Sequence, residues 1–124
     1  MKKILIVDDD KNMHIIYKDL FRATKEKYDV IFAVNVEKAI DKLNETKFNL
    51  VVLDIVMGPL SGQYLFLKLR GDENFKKDMI PVIVVSVLEG KDLRFLENSQ
   101  NTRIFQKPLD KDSFFGAISE MLPA

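Results

Sequence analysis

The chain has 124 residues, of which 47% are hydrophobic, so it can bury one core and is too apolar to be disordered. Its 19 basic and 19 acidic residues cancel to a formal net charge of +0, which excludes strong attraction to nucleic acid or to an anionic membrane. Cysteine is absent from the sequence, which excludes disulfides and thiolate metal sites.

The sequence carries neither a signal-peptide pattern nor a membrane-spanning one. The basic start MKK is followed by an apolar run that ends at Asp8, which is too short for a signal peptide. The longest later apolar stretch, around residues 79–88, is interrupted by Pro81 and Ser86 and is too short to span a bilayer. We therefore expect a soluble, cytoplasmic, single-domain protein over residues 1–124, with no output domain.

Strand and helix patterns alternate five times along the chain. The strand patterns are short apolar runs, and most are continuous rather than alternating, as in strands that are covered on both faces of a parallel sheet. The helix patterns repeat apolar residues every three or four positions, which places them on one face. In chain order, the predicted elements are strand 4–7, helix 11–25, strand 29–34, helix 36–44, strand 50–53, helix 61–70, strand 82–85, helix 91–97, strand 103–106 and helix 112–122.

This alternation predicts an α/β fold: an open, doubly wound parallel sheet with about five helices on its two faces. Right-handed crossovers make all the strands parallel. Asn35 precedes the second helix and can cap its free amides, and Asp10 stands where it favours the start of the first helix. Ligands of such sheets bind beyond the carboxyl ends of the strands.

Polar side chains follow four of the predicted strands at those ends. Asp8 and Asp9 follow the first strand, and Asp54 follows the strand at 50–53. Ser86 and Lys107 follow the last two strands. Because the strands are parallel, all five side chains should share one edge of the sheet.

Their chemistry indicates phosphoryl transfer. Three neighbouring carboxylates repel one another, and a hard divalent cation such as Mg²⁺ relieves this repulsion. With the cation present, Asp54 can remain an anion and act as a nucleophile. The ammonium of Lys107 and the hydroxyl of Ser86 can then contact phosphoryl oxygens.

The stretches "ILIVDDD", "VVLDIVMGPLSG", "PVIVVSV" and "FQKPLD" occur in this order, and with them the whole chain resembles a response-regulator receiver domain of two-component signalling. The resemblance implies a flavodoxin-like fold with strand order 2-1-3-4-5. It also implies that Asp54 takes a phosphoryl group from the phosphohistidine of a histidine kinase or phosphotransfer protein. The phosphorylated chain would then switch a surface for a downstream partner that the sequence does not name.

The same resemblance implies a role for each residue of the site. Asp9 and the backbone carbonyl of Val56 would join Asp54 in holding Mg²⁺ (or Mn²⁺), and Asp8 would act through water. Ser86 and Lys107 would contact the phosphoryl oxygens. The bond between Lys107 and Pro108 would be a cis peptide, an isomer that is accessible mainly before proline.

The sequence departs from the family pattern at several positions. Gly58 separates Met57 from Pro59 where the family has Met followed directly by Pro, and Val87 replaces a small residue. Ile104 stands where an aromatic residue usually switches orientation together with the hydroxyl of Ser86.

Two further apolar residues bear on the lifetime of a phosphorylated form. Val56 and Leu88 flank the path of the hydrolysing water in the family, and neither can bind that water, so we expect a long-lived aspartyl phosphate.

A partner surface and a homodimer are also expectations from the sequence. Leu88, Leu93 and Phe95 form either ordinary core or, together with Ile104, an exposed apolar surface for a partner. A homodimer is possible through the face of the fourth predicted helix, the fifth strand and the fifth helix.

We expect a signalling phosphoacceptor and not an enzyme with a separate substrate. Three other functions are alternatives to this interpretation. The first is a pseudo-receiver, a phosphorylation-independent interaction module, which Val87 and Ile104 motivate. The second is a small phosphatase of the haloacid-dehalogenase type, because residues 8–10 contain a D-x-D pattern, although no Thr follows shortly. The third, a flavin-binding protein, is disfavoured by the acidic first loop. His14 is expected to be exposed or partly packed, without a phosphodonor or metal role.

Overall fold

The computed structural model describes residues 1–87, 90–96 and 98–122. Five strands and four α-helices, with two short 3₁₀ segments, occur in these ranges, and their order follows the predicted alternation. The strands are β1 (Lys2–Val7), β2 (Tyr28–Ala33), β3 (Leu50–Leu53), β4 (Val82–Ser86) and β5 (Thr102–Gln106), and the helices are α1 (Lys11–Ala23), α2 (Val36–Glu45), α3 (Gly62–Gly71) and α4 (Lys111–Met121).

One of the five expected helices takes a different form. The segment Gly90–Leu96 is a 3₁₀ helix, whereas the sequence pattern predicted a short helix at 91–97. A second 3₁₀ segment, Lys76–Asp78, precedes β4. The difference is small because short helical segments commonly adopt i→i+3 hydrogen bonding instead of the i→i+4 bonding of an α-helix.

The strands form one parallel sheet in the order β2-β1-β3-β4-β5, as predicted. In the register of this sheet, Ile6 of β1 lies beside Phe32 of β2 and Val52 of β3. The order reverses between β1 and β3, which places the crevice for a ligand at the carboxyl ends of these two strands.

Alternate residues of the central strands pack on opposite sides of the sheet, which explains their continuous apolar runs. Leu5 and Val7 belong to the cluster that contains residues of α2 and α3, whereas Ile4 and Ile6 pack with residues of α1 and α4. The first cluster includes Val36, Ala39, Leu65, Phe66 and Leu69, and the second includes Tyr17, Phe114, Ala117 and Ile118.

Side-chain caps begin three of the helices. Asp10 accepts a hydrogen bond from the amide of Asn12 at 2.9 Å, so the predicted place of Asp10 at the start of α1 is confirmed. The predicted cap at Asn35 is also confirmed, because its Oδ1 accepts from the amide of Lys38 at 2.7 Å. Asp110 caps α4 in the same way. Among the described helices, none has the length and apolar character that crossing a membrane requires.

Candidate metal centre

Backbone hydrogen bonds extend the sheet one residue beyond the strands and thereby place the polar residues at one edge. The amide of Asp54 donates to the carbonyl of Val7 at 3.0 Å, which fixes Asp54 beside the end of β1. The amide of Asp8 donates to the carbonyl of Ala33 at 3.1 Å, and that of Lys107 to the carbonyl of Ser86 at 3.0 Å. The predicted common edge is therefore present.

Three carboxylates converge at this edge. Asp8, Asp9 and Asp54 each offer one oxygen, and these oxygens lie within 4.8 Å of one another, as they must to hold a single metal ion. Asp8 and Asp54 are buried, with 1% and 6% of their surface exposed, whereas Asp9 is exposed. The cluster thus has a protein-lined side and a side open to solvent.

Among the described residues, Lys107 brings a positive charge to this cluster. Its Nζ lies 3.2 Å from Oδ2 of Asp54 and 3.4 Å from Oδ2 of Asp8. Its side chain is only 19% exposed. One ammonium therefore bridges two buried carboxylates, and Asp9 brings a third negative charge to the same place.

Burial and the neighbouring charges together affect how Asp54 titrates. Burial raises the pKa of Asp54, and the nearby Asp8 carboxylate raises it further, against the opposing effect of the Lys107 ammonium. Burial acts to lower the pKa of Lys107, but the attraction of Asp54 and Asp8 outweighs it and the pKa is raised. Lys107 therefore stays charged. The positive charge of Lys107 alone does not offset the cost of burying the ionised Asp54, so a further positive charge would stabilise the Asp54 anion.

Backbone amides orient the two buried carboxylates. Oδ1 of Asp54 accepts a hydrogen bond from the amide of Val56 at 3.1 Å, and Oδ1 of Asp8 accepts from the amide of Asp10 at 2.9 Å. In each case the chain turns back on the carboxylate two residues later, which holds the side chain in one rotamer. The Oδ2 atoms are the ones directed at Lys107.

Gly62, the first residue of α3, permits this helix to lie directly on the backbone of Asp54. A Cβ atom at Gly62 would stand 2.1 Å from the carbonyl oxygen of Asp54 and 2.8 Å from the Cα of Ile55. The amide of Gly62 donates to the carbonyl of Ile55 at 3.0 Å. Only glycine fits this contact without displacing the segment that carries Asp54.

Other residues that the sequence singled out lie around the site in different settings. Ser86 is fully buried as the last residue of β4, whereas the side chains of Val56 and Val87 are largely exposed. Leu88 lies outside the described residues. The bond between Lys107 and Pro108 is cis, as expected, and so is the bond between Gly58 and Pro59.

The residues considered for a partner surface divide between core and surface. Leu93 is buried and Phe95 packs against the core cluster, which is the ordinary-core alternative for these two residues. Ile104, on the edge strand β5, is 44% exposed.

The expectation that His14 is exposed or only partly packed was wrong. The side chain is buried, and its Nε2 lies 2.6 Å from the backbone carbonyl oxygen of Asp8, next to the carboxylate cluster. The expectation of exposure came from its position in α1, one residue after Met13. A sequence pattern does not reveal a contact between a helix residue and the end of a strand.

The sequence profile described as response regulator receiver domain matches residues 4–119, and the chain belongs to this family. Members of the family are signalling modules of two-component phosphorelay systems.

Curated relatives resemble the chain over nearly its whole length. The chain is 28% identical to protein PilG of Pseudomonas aeruginosa over 128 residues, covering 98% of this chain and 88% of that protein. It is 29% identical to sporulation initiation phosphotransferase F of Bacillus subtilis over 130 residues, covering 98% of this chain and 94% of the relative.

Solved structures share the fold. A CheY-like receiver domain protein from Methanospirillum hungatei has a TM-score of 0.83 and 25% identity, with 97% of this chain and 92% of that chain covered. The response regulator TrrA of Thermotoga maritima, solved in complex with Mg²⁺-BeF, has a TM-score of 0.80 and 27% identity, with 98% of this chain and 100% of that chain covered.

Proposed function

We propose that the chain, as a single receiver domain over residues 1–124, accepts a phosphoryl group on Asp54 from a phosphohistidine. The observation that carries this proposal is the convergence of three carboxylates and one lysine ammonium at the carboxyl edge of the sheet. Asp54 is the only one of the three carboxylates that follows β3, and its Oδ2 lies 3.2 Å from Nζ of Lys107. The donor would be a histidine kinase or a phosphotransfer protein.

The residues present fit a magnesium ion. The donor set consists of carboxylate oxygens, which hard cations prefer, and the exposed side at Asp9 leaves room for the waters and phosphate oxygen that Mg²⁺ keeps. We infer that Asp9, Asp54 and the backbone carbonyl of Val56 hold the ion directly and that Asp8 holds it through water. The same oxygens suit Mn²⁺. A bound divalent cation would supply positive charge to the carboxylates and to the incoming phosphoryl oxygens.

Asp54 is held ready to act as the nucleophile. The amide of Val56 fixes one of its oxygens, and burial removes the water shell that would otherwise compete for the carboxylate. In the proposed step an Asp54 oxygen forms a bond to phosphorus while the bond from phosphorus to the donor's histidine nitrogen breaks. The electron pair of the broken bond stays on the imidazole, which takes up a proton.

Lys107 and Ser86 would then stabilise the transferred group. The Lys107 ammonium is already at ion-pair distance from Asp54, so a small movement brings it onto a phosphoryl oxygen. Ser86 ends the neighbouring strand and would offer its hydroxyl to another oxygen. Charge neutralisation and positioning, rather than proton transfer, supply most of the rate in such reactions.

Phosphorylation would act by shifting the population between two surface states, to which a downstream partner or a second copy of the chain binds differently. We place the switch at Ser86 and Ile104. Ser86 ends β4, which pairs directly with the edge strand β5, and within this pairing Val84 lies beside Ile104. Because Ile104 is partly exposed, a movement of Ser86 and its strand would change the protein surface at β5. A homodimer would form on the face that combines the fourth predicted helix, at Gly90–Leu96 in the structure, with β5 and α4.

The proposal is tested by incubating the protein with acetyl phosphate and MgCl₂ and measuring the intact mass. We expect one phosphoryl adduct in the wild type, none in Asp54→Asn, and none when EDTA replaces the metal. Asp10→Asn is the matched control, because Asp10 belongs to the same acidic run but caps α1 instead of joining the cluster. It should be phosphorylated like the wild type.

Three results would contradict the proposal. A wild-type protein that acquires no adduct, with Mg²⁺ and with Mn²⁺, would favour the phosphorylation-independent interaction module. Equal labelling of Asp54→Asn would place the acceptor on another residue. Continuous release of inorganic phosphate from small phosphate esters would instead indicate a phosphatase.

A further inference from the structure

His14 makes a contact that none of the proposed roles uses. Its Nε2 lies 2.6 Å from the backbone carbonyl oxygen of Asp8, and its ring stacks on Phe32 of β2, with ring centroids 4.8 Å apart and an angle of 29° between the planes. The side chain is 8% exposed. Helix α1 and strand β2 thus hold the imidazole between them, and its free edge points to the end of β1.

The partner atom determines which nitrogen carries the proton. A carbonyl oxygen can only accept a hydrogen bond, so Nε2 of His14 must be the donor. The stack on Phe32 fixes the plane of the ring, so the Nε2–H group has little freedom to turn away. The hydrogen bond is therefore directional and preformed.

The accepting carbonyl belongs to the peptide that joins the two acidic residues after β1. Because a peptide unit is planar, the carbonyl of Asp8 and the amide of Asp9 move as one body. The remaining hydrogen-bonding groups of Asp8 already have partners: its amide donates to Ala33, and its carboxylate contacts Asp10 and Lys107. With His14, the whole of Asp8 is fixed.

Asp9 depends on this peptide more than Asp8 and Asp54 do. It is the exposed member of the carboxylate cluster, so the core does not hold its side chain in place. Its position relative to Asp54 follows from the backbone that carries it, and that backbone begins at the Asp8 carbonyl. A rotation of the peptide would turn Asp9 away from the other two carboxylates.

We propose that His14 is a positioning residue for the cation site: its Nε2–H group fixes the peptide between Asp8 and Asp9 so that the carboxylates converge. This inference rests on the proposed function, because it assumes that a divalent cation binds to the cluster. Loss of such an outer contact typically lowers metal affinity about 10- to 100-fold. The competing explanation is that His14 merely fills space beside Phe32.

Two substitutions separate these explanations. His14→Leu keeps an apolar side chain against Phe32 and removes the donor, whereas His14→Gln keeps an N–H donor at a reach similar to that of Nε2. If the hydrogen bond matters, the glutamine variant should behave like the wild type and the leucine variant should not. If only packing matters, the leucine variant should be at least as good as the glutamine variant.

The experiment is a titration of each ¹⁵N-labelled protein with MgCl₂, following the amide signals of Asp9 and Asp10, without any phosphodonor. We expect His14→Leu to bind Mg²⁺ at least about 10-fold more weakly than the wild type, and His14→Gln to stay within about 3-fold. The Asp9 amide signal of the metal-free protein should also shift in His14→Leu and stay near its wild-type position in His14→Gln. Met13→Leu, a packing change on the same helix, is the matched control and should leave both readouts unchanged.

Urea unfolding of each variant shows that the titrations are made on folded protein. The inference is overturned if folded His14→Leu binds Mg²⁺ as tightly as the wild type, or if the leucine and glutamine variants weaken binding equally. A wild type that binds no Mg²⁺ at millimolar concentration contradicts the proposed function itself, which is a different result from either of these.

Discussion

Substitution of Gly62 by alanine tests how closely the start of α3 fits against the backbone of Asp54 and Ile55. The added Cβ would lie 2.1 Å from the carbonyl oxygen of Asp54, whereas ordinary carbon–oxygen contacts are more than 3 Å. The backbone must therefore separate by about 1 Å, and the atom that moves belongs to Asp54. Both stability and the geometry of the site should change together.

The cost can be estimated from the size of this overlap. Overpacking of a rigid site typically costs about 1–3 kcal/mol, and the overlap here is with backbone rather than with a flexible side chain, so the upper half of that range applies. For a domain of this size, such a loss lowers the melting temperature by roughly 5–10 °C. Alanine is otherwise the better helix former, so its intrinsic preference opposes the loss by up to about 1 kcal/mol.

Urea unfolding and the Mg²⁺-dependent phosphorylation assay measure the two effects. Gly116→Ala is the matched control, because Gly116 lies inside α4 and its added Cβ would meet no heavy atom within 4 Å. That control should be stabilised by about 0.5–1 kcal/mol and should be phosphorylated normally. If Gly62→Ala unfolds at the wild-type urea concentration and is phosphorylated at the wild-type rate, the close contact at Asp54 does not constrain the site.

Three further predictions concern pH, stability and the lifetime of the phosphorylated form. Because the pKa of Asp54 is raised in the folded state, the free energy of unfolding of the metal-free wild type should fall as pH rises from the ordinary aspartate pKa through the raised one. In urea unfolding, Asp54→Asn should lack this fall, so that its free energy of unfolding increases relative to that of the wild type at higher pH. Equal pH profiles of the two proteins would contradict this prediction. Arg70→Met should lose about 1–3 kcal/mol of its free energy of unfolding, because the guanidinium donates to the carbonyl of Ile80 at 2.8 Å and to the segment 100–102. An unchanged midpoint in urea unfolding would show that water replaces these hydrogen bonds. The double variant Val56→Asn, Leu88→Glu should lose its phosphoryl group faster than the wild type, because its polar side chains can bind the attacking water. A mass-spectrometric time course measures this rate, and an unchanged rate would show that the apolar residues do not explain a long lifetime.

The sequence by itself determined the sheet and the membership of the carboxylate cluster. Continuous apolar runs predicted strands that are buried on both faces, and β1 and β3 are such strands. A residue that directly follows a parallel strand must lie at the carboxyl edge of the sheet, so Asp8, Asp9 and Asp54 could be placed together without coordinates. These properties depend on backbone periodicity and strand direction, which local sequence encodes.

The tertiary structure alone decided which side chains meet across elements. The burial of His14 against Phe32 and the close approach of Gly62 to Asp54 join residues whose sequence spacing carries no signal of contact. The position of Lys107 at the same edge was predicted, but its bridging of Asp54 and Asp8 at ion-pair distance was not. Such contacts depend on how helices are rotated and seated on the sheet. The position of each helix on the sheet is determined by the packing of many side chains at once, so no single sequence motif predicts it.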